Sequence, residues 1–317
     1  MPATDQFNII TLKTAHEIVF SPDETRAVLC GKREITAIDP HTGTSFFTVR
    51  PLANPSHIDF SPDGSRVVVK NTHGHSIILD ALTGRTLRDF RNRAEGEGAA
   101  ALFSTDGRTV TSISWEGLVT VRDAKTGKTV FSDVHSGIAT ATGFSSSKRR
   151  QFAYCLAYPW KSNGSRPAPK VVLRSWPFAK NKAREIPHRW RSVQAMQLSP
   201  SGRSLAVIHI TGRDTLEIVS VPGGRPLARK PMRVGGCPSS VKWSADERLL
   251  AVMSDEKCFV LQMPSLRPLH KLNVPYGCYS SFSPSGRFLA IGSWKQSYIV
   301  PVDRLDAFKK HLAPTAQ

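Results

Sequence analysis

A short phrase based on Phe-Ser-Pro-Asp-Gly recurs seven times along this chain of 317 residues. The copies begin at Phe20, Phe60, Phe103, Phe144, Leu198, Trp243 and Phe282. From serine to serine, they are separated by 40, 43, 41, 54, 45 and 39 residues. A fixed period of this length is typical of a repeat architecture in which each copy forms one supersecondary unit. The repeat therefore constrains the fold more than any other feature of the sequence.

The second copy shows what one unit contains. Four segments have the composition of β-strands: 57–60, 66–69, 76–79 and 85–90. The turn sequences between them are Ser-Pro-Asp-Gly, Asn-Thr-His-Gly and Asp-Ala-Leu-Thr-Gly. Four antiparallel strands in about forty residues describe one blade of a β-propeller. The sequence predicts an all-β fold, a single seven-bladed β-propeller spanning residues 7–303.

The two ends of the chain complete the predicted ring. The last unit has three clear strands and lacks a fourth, whereas the segment 7–12 has strand character before the first unit. We expect this N-terminal strand to close the ring, which removes an exposed sheet edge. In the tail, residues 304–317, the apolar side chains of Leu305, Phe308 and Leu312 have helical spacing and predict a short amphipathic helix.

The third strand and the turn after it resemble those of the WD-repeat family. In that family a Trp-Asp pair ends the third strand, and this chain has Ile38-Asp39, Leu79-Asp80 and Arg122-Asp123 at the corresponding places. His135, nine residues before Phe144, is similar to the family's histidine. The resemblance implies a divergent WD-like propeller that lacks most of the family's structural His-Ser-Asp-Trp network.

Several classes of protein are not indicated by the sequence. The first residues lack the basic and apolar segments of a secretory signal, and no stretch approaches the length of a membrane helix. Five scattered cysteines favour free thiols in a reducing compartment, so we expect a cytoplasmic protein. No catalytic motif is recognisable, and a metal site at His73 and His75 has no partnering Cys, Asp or Glu cluster. We expect no cofactor and no enzymatic activity.

Positive charge is concentrated in the fourth unit. The formal net charge of the chain is +18, which predicts attraction to acidic partners. The fourth copy of the phrase has lost Pro-Asp-Gly, and an insertion separates its second and third strands. Residues 148–191 contain 12 Lys and Arg, one acidic residue and three of the six tryptophans. This unit is therefore the first place to look for a binding surface.

Propeller geometry predicts which side chains share that surface. The loops between blades and the turns between second and third strands lie on one face, and Arg and Trp are enriched at interface hot spots. The predicted partner-binding residues on this face are Trp160, Lys161, Arg166, Arg189, Trp190, Arg191, Arg50, Arg91, Arg93, Arg213, Arg233, Trp115, Trp294 and Lys295. A secondary basic cluster consists of Lys148, Arg149, Arg150, Lys180 and Lys182.

These features allow two hypotheses for the basic face. The first is a non-enzymatic scaffold, a monomeric propeller within a larger complex, that presents this face to an acidic protein. The second is a propeller that binds RNA or DNA with the same face, since Arg and aromatic side chains also suit phosphate contact and base stacking. The alternative reading of the tryptophans is that they pack under neighbouring loops while the charges are merely solvated.

Overall fold

The described residues form seven four-stranded antiparallel sheets, as the sequence predicts. The computed structural model describes residues 8–90, 98–114, 117–134, 140–147, 151–157, 167–177, 182–210, 214–233, 236 and 238–312. Within each of blades 1 to 6, four strands consecutive in sequence are hydrogen-bonded in order. The first strand of each blade also packs against the first strands of the neighbouring blades, so these strands form the inner ring around the central axis.

The strands of the first three blades follow the predicted turns. Blade 1 contains β2 (Glu17–Phe20), β3 (Ala27–Cys30), β4 (Ile35–Ile38) and β5 (Ser45–Val49). Blade 2 contains β6 (Pro55–Phe60), β7 (Arg66–Asn71), β8 (Ser76–Asp80) and β9 (Thr86–Phe90). Blade 3 contains β10 (Gly98–Phe103), β11 (Thr109–Ser114), β12 (Leu118–Asp123) and β13 (Thr129–Val134).

Blade 4 differs from the other blades in its outer strand. It contains β14 (Thr140–Ser147), β15 (Gln151–Ala157), β16 (Lys170–Ser175) and the two-residue β17 (Arg184–Glu185).

Blade 5 contains β18 (Val193–Leu198), β19 (Ser204–Ile210), β20 (Asp214–Ser220) and β21 (Pro226–Pro231). Blade 6 contains β22 (Pro238–Trp243), β23 (Leu249–Ser254), β24 (Lys257–Gln262) and β25 (Arg267–Asn273).

The N-terminal strand closes the ring, which confirms that prediction. Blade 7 contains β26 (Gly277–Phe282), β27 (Phe288–Ser293) and β28 (Ser297–Pro301), and its outer strand is β1 (Ile10–Leu12). Ile10 pairs with Ile299 and Leu12 pairs with Ser297 in antiparallel register. Blade 7 is therefore built from both ends of the chain, and β1 continues directly into blade 1.

A short helix follows the last strand, as predicted. A single 3₁₀ turn at Val302–Arg304 leads into α1 (Leu305–His311). The side chains of Leu305 and Phe308 are fully buried and pack with Tyr298, whose ring lies edge-on to Phe308 at 4.8 Å between centroids. The helix therefore covers the closing blade with its apolar side. Within the described part of the chain, no helix has the length and apolar character to cross a membrane.

The repeated phrase is explained by the hydrogen bonds of its turn. In blade 2 the Ser61 hydroxyl donates to the carboxylate of Asp63 at 2.5 Å and accepts from the backbone N–H of Arg66 at 2.9 Å. Gly64 has a φ of +71°, a backbone conformation that residues other than glycine adopt only with strain. These bonds hold the pKa of Asp63 down to about 2, chiefly through the Ser61 hydroxyl. The phrase thus has a structural role in forming the blade.

Two pairs of turns depart from the phrase in a coordinated way. In blades 5 and 7 a serine, Ser201 or Ser285, replaces the aspartate, and in the next blade around the ring a glutamate, Glu247 or Glu24, replaces the glycine. The glutamate carboxylate accepts a hydrogen bond from the backbone N–H of that serine in both cases. Glu24 also accepts from the Ser285 hydroxyl at 2.9 Å. These glutamates link neighbouring blades from the position that glycine occupies in blades 2, 3, 5 and 7.

The loops divide into two faces. At one end, backbone hydrogen bonds join the turns between second and third strands to the loops between blades, as from Thr72 N–H to the Asn54 carbonyl and from Trp294 N–H to the Tyr276 carbonyl. We call this end the junction face. At the other end, the repeated turns bond to the hairpins between third and fourth strands, as from Ala81 N–H to the Ser65 carbonyl. We call this end the turn face.

Candidate interaction face

About half of the residues predicted for the junction face lie within the described part of the chain. Among these, the exposed ones are Arg50, Arg189, Arg191, Arg233, Trp294 and Lys295. Lys182 of the secondary cluster is exposed as well. The remaining predicted residues lie outside the described ranges: Trp160, Lys161, Arg166, Arg91, Arg93, Arg213, Trp115, Lys148, Arg149, Arg150 and Lys180.

Trp190 is buried, which corrects the expectation that its ring is presented to a partner. The residue is 3% exposed and packs in the apolar cluster between blades 4 and 5. Its indole Nε1–H donates to Glu217 Oε2 at 2.8 Å, and its ring stacks on His188 with 4.5 Å between centroids. The alternative reading, in which a loop tryptophan packs beneath its neighbours, is the right one for this residue.

Glu217 connects Trp190 to a second buried ring. The same oxygen, Oε2, lies 2.9 Å from His209 Nε2, and the rings of His209 and Trp190 are 5.7 Å apart between centroids. Burial lowers the pKa of His209 and that of His188 below their ordinary values. These groups form a Trp-Glu-His network between strands β19 and β20 and the loop before β18. It fixes the loop that carries Arg189 and Arg191.

The two arginines beside Trp190 are directed to solvent. Arg189 and Arg191 are both exposed, while the tryptophan between them is buried. Among the described residues, neither arginine has an acidic partner within ion-pairing distance. Their backbone is held by the anchored indole, so less conformational freedom is lost when a ligand binds them. They form the best-defined cationic element of the junction face.

A second element of this face is aromatic. Trp294 is 50% exposed and stacks on the buried ring of His16 at 5.0 Å between centroids. Lys295 Nζ lies 4.6 Å from the ring centroid of Tyr276, which is itself 54% exposed. Burial lowers the pKa of His16, so a neutral ring supports Trp294. This group is on the far side of the ring from Arg189 and Arg191.

Acidic groups interrupt the positive charge of the junction face. Arg50 is paired with Glu34 at 3.2 Å between Nη2 and Oε2, and the arginine side chain is 73% exposed. Asp255 and Glu256 occupy the turn between β23 and β24 on the same face. Arg189 and Arg191, at the junction between blades 4 and 5, have no such acidic partner among the described residues.

Arginines that follow the repeated turns contact neighbouring groups in the fold, as Arg66 and Arg26 show. Arg66 Nη2 donates to the Gly107 carbonyl of the next blade at 2.9 Å, and its guanidinium lies 5.3 Å from the centroid of Phe103. Arg26 lies 5.2 Å from the centroid of Phe46 in a similar cation–π contact. The sequence pattern missed this role in joining and covering the blades.

The inner strands hold a charged cluster that the sequence analysis also missed. Glu17 Oε2 accepts from the backbone N–H of Ile58 at 2.9 Å and lies 3.3 Å from His57 Nδ1. Asp59 accepts from the backbone N–H of Phe103 at 2.7 Å. Burial raises the pKa of Asp59 to about 7 and lowers the pKa of His57. The signal in the sequence is a pair of acids inside the otherwise apolar first strands.

The other candidate chemistry is accounted for by contacts within the fold. His75 Nε2 lies 2.6 Å from Asp89 Oδ1, so the turn that contains His73 and His75 has a side-chain partner in blade 2. No group of three or more potential metal ligands occurs among the residues that the structure describes. Cys30, Cys258 and Cys278 are buried free thiols, and Cys155 is buried as well. Burial raises the pKa of Cys258 and of Cys278 to about 12, which makes both thiols unreactive.

Comparison with solved structures identifies the fold. The structure of U3-55K and the crystal structure of the RRP9 WD40 repeats are both similar to this chain, each with a TM-score of 0.78. In both cases the match covers 93% of this chain and 98% of the other, at 16% sequence identity. The fold is that of a WD40 propeller. No protein-family model matches the sequence. No curated protein matches it in sequence either.

Proposed function

We propose that this WD40-type propeller is a non-enzymatic interaction scaffold whose junction face binds an acidic segment of a partner protein. The observation that carries the proposal is the loop between blades 4 and 5, where buried Trp190 holds exposed Arg189 and Arg191 in place. Arginine presents five N–H donors in a fixed fork that matches a carboxylate. A rigid pair of such groups suits recognition of Glu and Asp side chains.

The charge of the whole chain supports an acidic partner. A net charge of +18 attracts negatively charged molecules and accelerates their encounter with the surface. The basic residues that the sequence places in the fourth unit, among them Lys161 and Arg166, precede this loop in the chain and belong to the proposed surface. We further propose that the protein acts as a monomeric ring in the cytoplasm, consistent with the buried free thiols of Cys30, Cys258 and Cys278.

A nucleic acid is the second candidate ligand, and one observation favours it. Trp294 is half exposed beside Lys295, an arrangement that suits a stacked base next to a phosphate. Binding to single-stranded RNA or DNA should weaken with salt, with a logarithmic slope of about −0.7 for each phosphate that is contacted. The dependence of affinity on salt and on Trp294 therefore distinguishes this candidate from the first.

The test is a charge reversal with a matched control. The double variant Arg189→Glu, Arg191→Glu should bind a fluorescent Glu-rich peptide at least about tenfold more weakly than the wild type at low salt. The control, Arg203→Glu with Arg225→Glu, changes the net charge equally in the same blade but lies on the turn face. Equal losses in both variants would show that only net charge matters and would refute the proposed site.

Binding of single-stranded RNA or DNA to the wild type tests the nucleic-acid candidate. If the wild type binds single-stranded RNA or DNA tightly with a steep salt dependence, and the Glu-rich peptide only weakly, the second candidate replaces the first. In that case Trp294→Ala should weaken binding further, because stacking on an aromatic ring is worth about 1–3 kcal/mol per base. Circular dichroism of each variant should match the wild type, so that loss of folding does not explain loss of binding.

A further inference from the structure

The turn face contains a cavity with an unusual lining for so basic a protein. The cavity has a volume of about 480 Å³ and lies where the inner strands of blades 2 to 6 reach the turn face. Its walls include Asp59, Phe60, Phe103, Gln197 and Trp243. Asp59 is the only ionisable side chain among the described residues that line it. In a chain of net charge +18, this places one carboxylate in the lining of the cavity, beside the aromatic residues Phe60, Phe103 and Trp243.

The backbone holds Asp59 in place without using all of its acceptor sites. Phe103 N–H donates to Asp59 Oδ2 at 2.7 Å, whereas a carboxylate has about four lone-pair sites in total. The charged groups that act on it electrostatically are Glu17 and Lys242, both on neighbouring inner strands. Neither of these two side chains lines the cavity. The acceptor capacity that remains is available to a ligand.

The polar groups around the cavity define the ligand's chemistry. Gln197 Oε1 accepts from the Trp243 backbone N–H at 2.7 Å, so the Gln197 amide nitrogen remains as a donor. The Trp243 indole N–H is already used, since it donates to the Gln197 carbonyl at 3.2 Å. A carboxylate beside aromatic residues favours a cation, and the amide donor favours a carbonyl oxygen beside it.

We infer that this cavity binds a guanidinium or ammonium group, with the carboxylate of Asp59 as its counter-ion and the walls formed by Phe60, Phe103 and Trp243. Its volume falls within the range of small-molecule sites and exceeds that of one guanidinium. The cation can therefore belong to a free organic molecule or to the side chain of a partner. This site is separate from the junction face and does not depend on the function proposed above.

The experiment uses three probes and one isosteric variant. The probes are Nα-acetyl-arginine amide, its neutral isostere Nα-acetyl-citrulline amide, and a glycine-flanked peptide with one central arginine. Binding is followed by NMR of the ¹⁵N-labelled protein, in which the indole signal of Trp243 reports on the cavity. Asp59→Asn removes the charge, and its amide oxygen can still accept from Phe103 N–H.

The arginine probe should bind saturably and at least about tenfold more tightly than the citrulline probe, and Asp59→Asn should remove that preference. Since the pKa of Asp59 is about 7, its ionised fraction and the affinity for the cation should rise about tenfold from pH 6 to pH 8. A stronger interaction with the peptide than with the amide would identify a partner's side chain as the source. Equal affinities would identify a free molecule.

Two results would overturn the inference. One is equal binding of the arginine and citrulline probes to the wild type, or no saturable binding of either. The other is an arginine preference that persists unchanged in Asp59→Asn while the NMR spectrum shows an intact fold. The variant Arg189→Glu, Arg191→Glu serves as an internal control, because it changes the junction face and should bind the arginine probe with unchanged pH dependence.

Discussion

Replacing Ser285 by aspartate restores the commonest form of the repeated turn, yet the structure predicts that this change destabilises the ring. In wild type the Ser285 hydroxyl donates to Glu24 Oε2 at 2.9 Å across the joint between blades 7 and 1. A carboxylate at position 285 cannot donate that bond when ionised and lies against another negative charge. Substitutions toward the consensus of a repeat usually stabilise a protein, whereas this one is expected to lower the free energy of unfolding.

The magnitude follows from the geometry of the joint. Two carboxylates about 4 Å apart repel each other by about 4 kcal/mol at an effective dielectric constant of about 20. Position 285 is exposed, and solvent and salt reduce this repulsion to about 2 kcal/mol. Loss of the hydroxyl's hydrogen bond adds about 1 kcal/mol. We therefore expect Ser285→Asp to lower the free energy of unfolding by about 2–3 kcal/mol.

A double-mutant cycle isolates the interaction. Glu24→Gly removes the opposing carboxylate and relieves the positive φ of +58° at that residue. In this background Ser285→Asp should be neutral or stabilising, because the new carboxylate can accept from its own turn as that of Asp63 does. The expected coupling energy is about 2–3 kcal/mol.

The assay is urea unfolding of the four proteins at neutral pH, followed by tryptophan fluorescence. The pair Ser201 and Glu247 at the joint between blades 5 and 6 provides a second, matched cycle, since Glu247 accepts from the Ser201 N–H in the same way. If Ser285→Asp has the same effect with and without Glu24, within about 0.5 kcal/mol, the reasoning is refuted.

Three further predictions concern other parts of the ring. Trp190→Phe should lower the free energy of unfolding by about 1–3 kcal/mol, measured by urea unfolding, because it leaves the buried carboxylate of Glu217 without the indole donor. Asp59→Asn should flatten the pH dependence of stability. Burial raises the pKa of Asp59 from its ordinary value of 3.8 to about 7 in the folded protein. The resulting contribution to the stability of the wild type is complete below about pH 4 and is lost as the pH rises through 7. In urea unfolding at a series of pH values, the free energy of unfolding of the variant should therefore rise relative to that of the wild type. The expected rise is about 1.4 kcal/mol per pH unit between about pH 4 and 7. Deleting residues 1–12 removes β1 and exposes the edge of β28, and light scattering should show concentration-dependent aggregation that the full chain lacks.

The blade count and the ring closure could be predicted because their causes are local. Each copy of the phrase carries its own turn chemistry, as Ser61, Asp63 and Gly64 show, so one alignment of the copies gives every blade. The closing strand followed from a missing fourth strand and an unassigned apolar segment. Such features need no knowledge of which side chains meet across the fold.

The contacts between blades could not be predicted in the same way. Trp190 lies in an arginine-rich loop, and its partner Glu217 is 27 residues further along the chain in another strand. The available signal was a histidine and a glutamate inside two otherwise apolar strands, at His209 and Glu217. Buried polar groups need partners, so these two should have directed attention to the nearest indole.

The burial of Trp190 strengthens the argument for the surface beside it. An exposed loop of arginines loses much of its binding energy in ordering its own backbone, whereas a loop anchored by a buried indole has already lost that freedom on folding. A substitution of Trp190 therefore tests whether this anchoring contributes to the proposed function. Trp190→Phe keeps both arginines and the net charge, so if it leaves affinity for the Glu-rich peptide unchanged, positioning of Arg189 and Arg191 contributes nothing and simple charge attraction explains the binding.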